Sequence, residues 1–177
     1  YYLEPYATVN TWDFLQGRDL FRRKTNPTAL SRIDRKVGAD FAIPFGKNYK
    51  LSLGGAYINN RDQYVNSPVL ISTDTLDVLR LNGFRGEINV SSNTLNRKQY
   101  ASAGRNFVLS LNLFRLNEKL VPGNTSILTE TQSQPRNWLR ARVTLEQYFK
   151  KGFYSSGYLF DGVISNQPVF SNYQGSV

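Results

Sequence analysis

The chain has 177 residues, 40% of them hydrophobic and 14% aromatic, with 11 Tyr and 11 Phe but no Cys, Met or His. The missing Cys and His remove disulfide frameworks, thiolate and imidazole metal ligands and the commonest general base, so zinc or haem chemistry is disfavoured and no cofactor is expected. A net charge of +9, from 22 basic and 13 acidic residues, raises nucleic-acid binding as a reading that requires the basic residues to cluster.

The longest uninterrupted apolar run is FAIPF at 41–45, far short of the roughly 20 residues a membrane-spanning helix needs. Insertion into a membrane would therefore be by strands. No basic-then-apolar signal segment opens the sequence, and no Met is present, so the chain reads as mature or as part of a longer gene product.

In chain order, the first candidate strand is the weakly alternating stretch 1–14, with Leu3, Ala7 and Val9 against Glu4, Thr8 and Asn10. Over 32–45 the odd positions Ile33, Val37, Ala39, Phe41, Ile43 and Phe45 are apolar apart from Arg35, while Arg32, Asp34, Lys36 and Asp40 stand on the other side. The turn Gly46-Lys47-Asn48 leads into 49–60, where Tyr49, Leu51, Leu53 and Tyr57 alternate with Lys50, Ser52 and Ala56, which predicts a hairpin. A fourth strand is expected near 76–90, with Phe84, Ile88 and Val90 opposite Arg85, Glu87 and Asn89. A fifth is expected near 98–115, led by Phe107, Leu109, Leu111 and Leu113. The stretch 137–149 sets Leu139, Ala141, Val143, Leu145 and Phe149 against Arg140, Arg142, Thr144 and Glu146. After Lys150-Lys151-Gly152 a seventh strand, 153–165, completes a second tight hairpin.

The expected fold is therefore all-β: an antiparallel transmembrane β-barrel segment of about seven strands spanning 1–177, with short periplasmic turns and long external loops. Connections at 46–48, 91–97 and 150–152 are short, and those at 15–31, 61–75 and 116–136 are long. A soluble Greek-key sandwich, the competing architecture, has no reason to sort its connections this way. Seven strands with an open edge on either side would be unstable in lipid, so further strands are expected outside this chain. Aromatic residues at the strand ends suggest interfacial girdles, with Tyr49, Tyr100, Tyr148 and Tyr154 near the short turns and Trp12, Tyr57 and Trp138 near the long loops. Strict parity nevertheless puts Trp12 and Trp138 on the polar side.

On that polar side, Arg32, Asp34, Lys36, Asp40, Arg85, Glu87, Arg140, Arg142 and Glu146 are candidate lumen charges, positioned to pair across the barrel interior. They fit either a conduction path or a structural salt-bridge network, with the network favoured. The densest basic cluster, RDLFRRK at 18–24, lies in a long loop and suits lipopolysaccharide phosphates better than nucleic acid. Catalytic motifs are missing: no GxSxG occurs, GFYSSG at 152–157 has the wrong spacing and sits in a hairpin, and Asp161-Gly162 reads as a lumen carboxylate beside a small residue. GFRG at 83–86 lacks the remaining glycines and the Ser/Thr of a phosphate loop. No catalytic, metal or nucleotide site is expected.

The string LRARVTLEQYFKKGFYSSGYLFDGVISNQPVFSNY at 139–173, above all SNQPVFSNY, resembles the C-terminal Omp85-related outer-membrane barrel of Bacteroidota patatin-like phospholipases, as do YASAG and FGKNYKL. The resemblance implies a barrel that anchors or exports a lipid acyl hydrolase domain encoded upstream, in the outer membrane of a Gram-negative bacterium. Its implied partners are outer-membrane lipid and lipopolysaccharide, the remaining barrel strands and other outer-membrane proteins. It carries over no catalytic residue. A non-enzymatic Omp85-type assembly or transport barrel is the alternative, and a ligand-binding soluble β-sandwich the third reading.

Overall fold

A computed structural model describes residues 1–15, 29–65, 73–97 and 101–171 of the chain. They build one antiparallel sheet of seven strands in sequential order. The strands are β1 (Tyr2–Leu15), β2 (Ala29–Phe45), β3 (Tyr49–Tyr64), β4 (Asp77–Asn93), β5 (Gly104–Val121), β6 (Gln132–Lys151) and β7 (Tyr154–Ser165). β1 and β7 do not pair with each other, so the sheet is open.

Strand register is unbroken along all six pairings. Because side chains alternate along a strand, that register sorts every in-strand residue onto one of two faces. The central row of the first face reads Leu3, Phe41, Leu53, Ile88, Leu111, Ala141 and Ile164, apolar on every strand. The matching row of the second face reads Glu4, Asp40, Gly54, Glu87, Asn112 and Arg140, almost wholly polar. Large apolar side chains such as Val37, Phe45, Phe84 and Leu113 are exposed on the first face, whereas the buried side chains lie mostly on the second.

The chain reverses tightly at 46–48 and 152–153, where Gly46 (φ 63°) and Gly152 (φ 61°) supply the left-handed conformation such turns demand. On the opposite side, several strands outrun the expectation. β3 runs to Tyr64 rather than 60, β5 covers Gly104–Val121 rather than 98–115, and β6 begins at Gln132 rather than 137. The difference between short and long connections narrows as a result, and residues 94–103 and 122–131 match in length.

These extensions escaped the sequence reading because the apolar pattern changes face partway along the strands. In β5, Phe107, Leu109, Leu111 and Leu113 lie on the apolar face, but Phe114, Leu116 and Leu120 lie on the other and are buried. β4 shows the same inversion, with Leu79 and Leu81 on the opposite face from Phe84, Ile88 and Val90. Past the inversion, the first face carries Asn59, Arg61, Arg80, Asn82, Asn117 and Lys119. The second gathers a small core of Ile58, Leu81, Phe114, Leu116, Trp138 and Phe170.

Candidate functional site

The polar face is the part of the molecule with chemistry to offer. Every charge expected on it from alternation stands there: Arg32, Asp34, Lys36, Asp40, Arg85, Glu87, Arg140, Arg142 and Glu146. Their pairing is local. Arg32 and Asp62, directly opposite on β2 and β3, form a bidentate pair with Nε–Oδ1 and Nη2–Oδ2 both at 2.8 Å. Such fork-to-carboxylate geometry is the strong form of an ion pair. Arg142 holds Asp161 on β7 through two contacts of 3.0 and 2.6 Å, and the Thr144 hydroxyl donates to the same carboxylate at 3.2 Å. Arg85 pairs with Glu87 two residues along the same strand. The charges thus join neighbouring positions along the sheet wall.

Toward the loop end, Glu118 is 2% exposed and accepts from Arg136 Nε at 2.5 Å and from the Ser171 backbone N–H at 2.7 Å. That second bond ties the segment after β7 onto the polar face. Phe170 there is buried edge-on against Trp138, with centroids 5.6 Å apart and planes at 74°, and Trp138 in turn stacks on Phe114 at 4.5 Å. Asn166 Oδ1 accepts from Leu139 N–H at 2.7 Å and starts the fold-back. A buried carboxylate with a guanidinium and an amide is well satisfied, and here it acts as a latch.

Elsewhere the face opens into two polar clefts. One cleft is lined by Glu4, Asp40, Lys50, Glu87 and Asn89, and a second by Thr8, Asn10, Asp34, Lys36, Asn60 and Arg85. Asp34 and Asp40 each keep a buried carboxylate oxygen without a hydrogen-bond partner among the described residues. Lys36 sits 5.1 Å from the Tyr6 ring centroid, a cation–π contact. Asp40 Oδ1 occupies the space a Cβ on Gly54 would take, so a side chain there obliges the carboxylate to turn aside. Ser155, from the GFYSSG string, donates its hydroxyl to the Ser102 carbonyl at 3.1 Å. Among the described residues no group of three or more His, Cys, Asp or Glu is arranged to hold a metal ion.

The expected girdle aromatics divide between the faces. Tyr49, Tyr57 and Tyr154 belong to the apolar face. Tyr57 and Phe84 meet edge-to-face at 5.3 Å, and the Tyr49 hydroxyl accepts from Arg105 at 2.9 Å. Trp12, registered with Arg32, and Trp138 keep strict parity and stand on the polar face, Trp138 at 3% exposure inside the small core. Tyr148 shares that face and donates its hydroxyl to Glu146 at 2.8 Å. Tyr100 and the basic cluster at 18–24 lie outside the described residues.

Sequence reasoning missed Asp62, Glu118 and Arg136 because they lie beyond the expected strand ends. Continuing the strands' parity past 60 and 115 would have put Asp62 and Glu118 on the polar face. The fold-back of Phe170 leaves no such periodic signal.

The fold and this face define an open, all-β antiparallel sheet with one largely apolar and one ion-paired surface. Comparison with protein-family models, with curated proteins and with solved structures finds no match.

Proposed function

We propose that this chain is part of a transmembrane β-barrel in the outer membrane of a Gram-negative bacterium. In this reading it is the membrane-embedded portion of a Bacteroidota patatin-like protein, anchoring or exporting a lipid acyl hydrolase domain that lies outside the chain. The observation that carries the barrel reading is the apolar band on the first face. It extends from Val37 to Phe45 on β2 and from Tyr49 to Tyr57 on β3, and its central row is apolar on all seven strands. At about 3.3 Å per residue and a tilt of about 40°, such spans rise roughly 20–24 Å, close to the ~25 Å band of outer-membrane barrels.

Water gives no reason to expose such a continuous surface. A patch wider than a few hundred Å² marks a protein or membrane contact. The ion-paired second face suits a hydrated or plugged interior, which favours a structural salt-bridge network over a conduction path. The patatin assignment rests on the resemblance of 139–173, YASAG and FGKNYKL alone. A non-enzymatic Omp85-type barrel fits the polar wall equally well, and the sequence upstream of Tyr1 separates the two: a GxSxG followed by a distant Asp-Gly supports the hydrolase, and POTRA repeats alone support the second.

Gel mobility of the parent protein in outer-membrane fractions tests the barrel. An unboiled sample is expected to migrate faster than a boiled one. A chain that expresses without detergent as a monodisperse, cooperatively folded species would overturn the reading.

A further inference from the structure

Beyond the apolar band, on the same outward face and toward the loop end, the register assembles a row of like charge. Arg61 on β3 is directly opposite Arg80 on β4, which is directly opposite Lys119 on β5. Directly opposed side chains have their Cβ atoms about 5 Å apart, and like charges at that spacing repel. Arg35 and Arg115 occupy the next two rows toward the band, Arg35 beside Asn59 and Arg115 beside Phe84 in the row of Tyr57.

Among the described residues no acid of the strands that carry them shares their face. The acids of β2 to β6, namely Asp34 and Asp40, Asp62, Asp77 and Glu87, Glu118 and Glu146, all register to the other face. None of the basic side chains in question forms a salt bridge among the described residues. Arg35, Arg80, Arg115 and Lys119 are exposed, and the Nε of Arg61 is buried without an acceptor. Strands β2 to β6, which tolerate repulsion on one face while holding their carboxylates on the other, suit an anion approaching from outside.

Height identifies that anion. Arg61 lies four residues past Tyr57, the aromatic that borders the band. At about 3.3 Å per residue and a tilt of about 40°, the row stands roughly 10 Å beyond the rim, the depth of lipid headgroups. We infer that Arg61, Arg80 and Lys119, with Arg35 and Arg115 below them, bind the phosphate groups of a lipid in the surrounding leaflet. The inference rests on the membrane-barrel reading above. Guanidinium forks suit phosphate oxygens bidentately, and basic pockets at this depth attract anionic headgroups.

The test uses the parent protein folded in zwitterionic detergent, with heat-dependent gel mobility as the folding readout. Bisphosphorylated lipid A is titrated in, beside its dephosphorylated form and inorganic phosphate. The folded protein is expected to retain bisphosphorylated lipid A, to ignore the dephosphorylated form, and to release little of it to inorganic phosphate at equal phosphate concentration. The variant Arg61→Gln/Arg80→Gln/Lys119→Gln is expected to lose affinity roughly ten- to a hundredfold. Lys50→Gln/Lys151→Gln, near the short turns, serves as control and is expected to keep it. Should the triple variant misfold, the exposed single changes Arg80→Gln and Lys119→Gln carry the comparison, each with a smaller loss. Equal binding by variants and wild type, equal loss in the control, or full competition by inorganic phosphate overturns the lipid site while leaving the barrel standing. A wild-type protein whose mobility is indifferent to boiling overturns the barrel and the inference with it.

Discussion

At the level of single residues, the polar face is stabilised by a few buried ion pairs whose value depends on both partners being present. Glu118 is the clearest instance, since it neutralises Arg136 and also accepts the Ser171 N–H. Glu118→Ala leaves a half-buried guanidinium and a backbone donor without their acceptor, at an expected cost of about 2–4 kcal/mol. The urea midpoint of the folded parent protein is expected to drop accordingly, and amide exchange at Ser171 to accelerate. Glu118→Gln keeps an acceptor and loses less. If Ser171 exchanges at the same rate in Glu118→Ala, the latch is not what holds the segment.

Glycines offer a sharper contrast, because neighbours in sequence face opposite environments. A Cβ on Gly54 meets Asp40 Oδ1, whereas one on Gly55 meets nothing within 4 Å. Gly54→Ala is therefore expected to destabilise by up to about 1 kcal/mol through displacement of the carboxylate. Gly55→Ala is expected to be neutral or slightly stabilising. Matching urea midpoints for the two variants would refute this account of the polar wall.

The strand is the element on which the apolar and polar faces are told apart. Within the band, Leu111 and Asn112 are adjacent yet belong to opposite faces, with Leu111 between Ile88 and Ala141 and Asn112 between Glu87 and Arg140. Leu111→Arg puts a charge at the centre of the apolar band, where, if the band faces lipid as proposed, an arginine costs roughly 2–4 kcal/mol. Insertion of the parent protein into phosphatidylcholine vesicles, read by boiling-dependent mobility, is expected to fall. Asn112→Arg gains Glu87 as a neighbour and is expected to insert normally. Equal insertion by both would remove the distinction between faces.

Inversion of the pattern along β4 and β5 is an element-scale fact of a different kind. In the proposed barrel such a strand lies half in lipid and half in water, exposing apolar residues on one face in the first environment and burying them on the other in the second. Alternation counted with a single phase stops at the inversion, which is why strand ends near 60 and 115 came out short. Phe114 and Leu116, read with the other phase, continue β5 to Val121.

For the whole molecule, the open edges are the organising problem. Backbone donors and acceptors along β1 and β7 have no strand beyond them here, and in lipid each unpaired group costs several kcal/mol. In the parent protein inserted in vesicles, amides of Tyr2–Leu15 and Tyr154–Ser165 are expected to exchange as slowly as those of β3 and β4. Fast exchange confined to β1 and β7 would mean that no further strands close the sheet.

The strand count, the two tight turns and the polar or apolar character of each face follow from the sequence alone, because a two-residue period is a local property that any strand must express. Which aromatics border the band, where the strands end and how the charges pair follow only from the assembled sheet. Arg32 finds Asp62 and Glu118 finds Arg136 through cross-strand register, and Phe170 reaches Trp138 only by folding back over the polar face. Register and fold-back bring together residues far apart in the chain, and no local pattern encodes which of them meet.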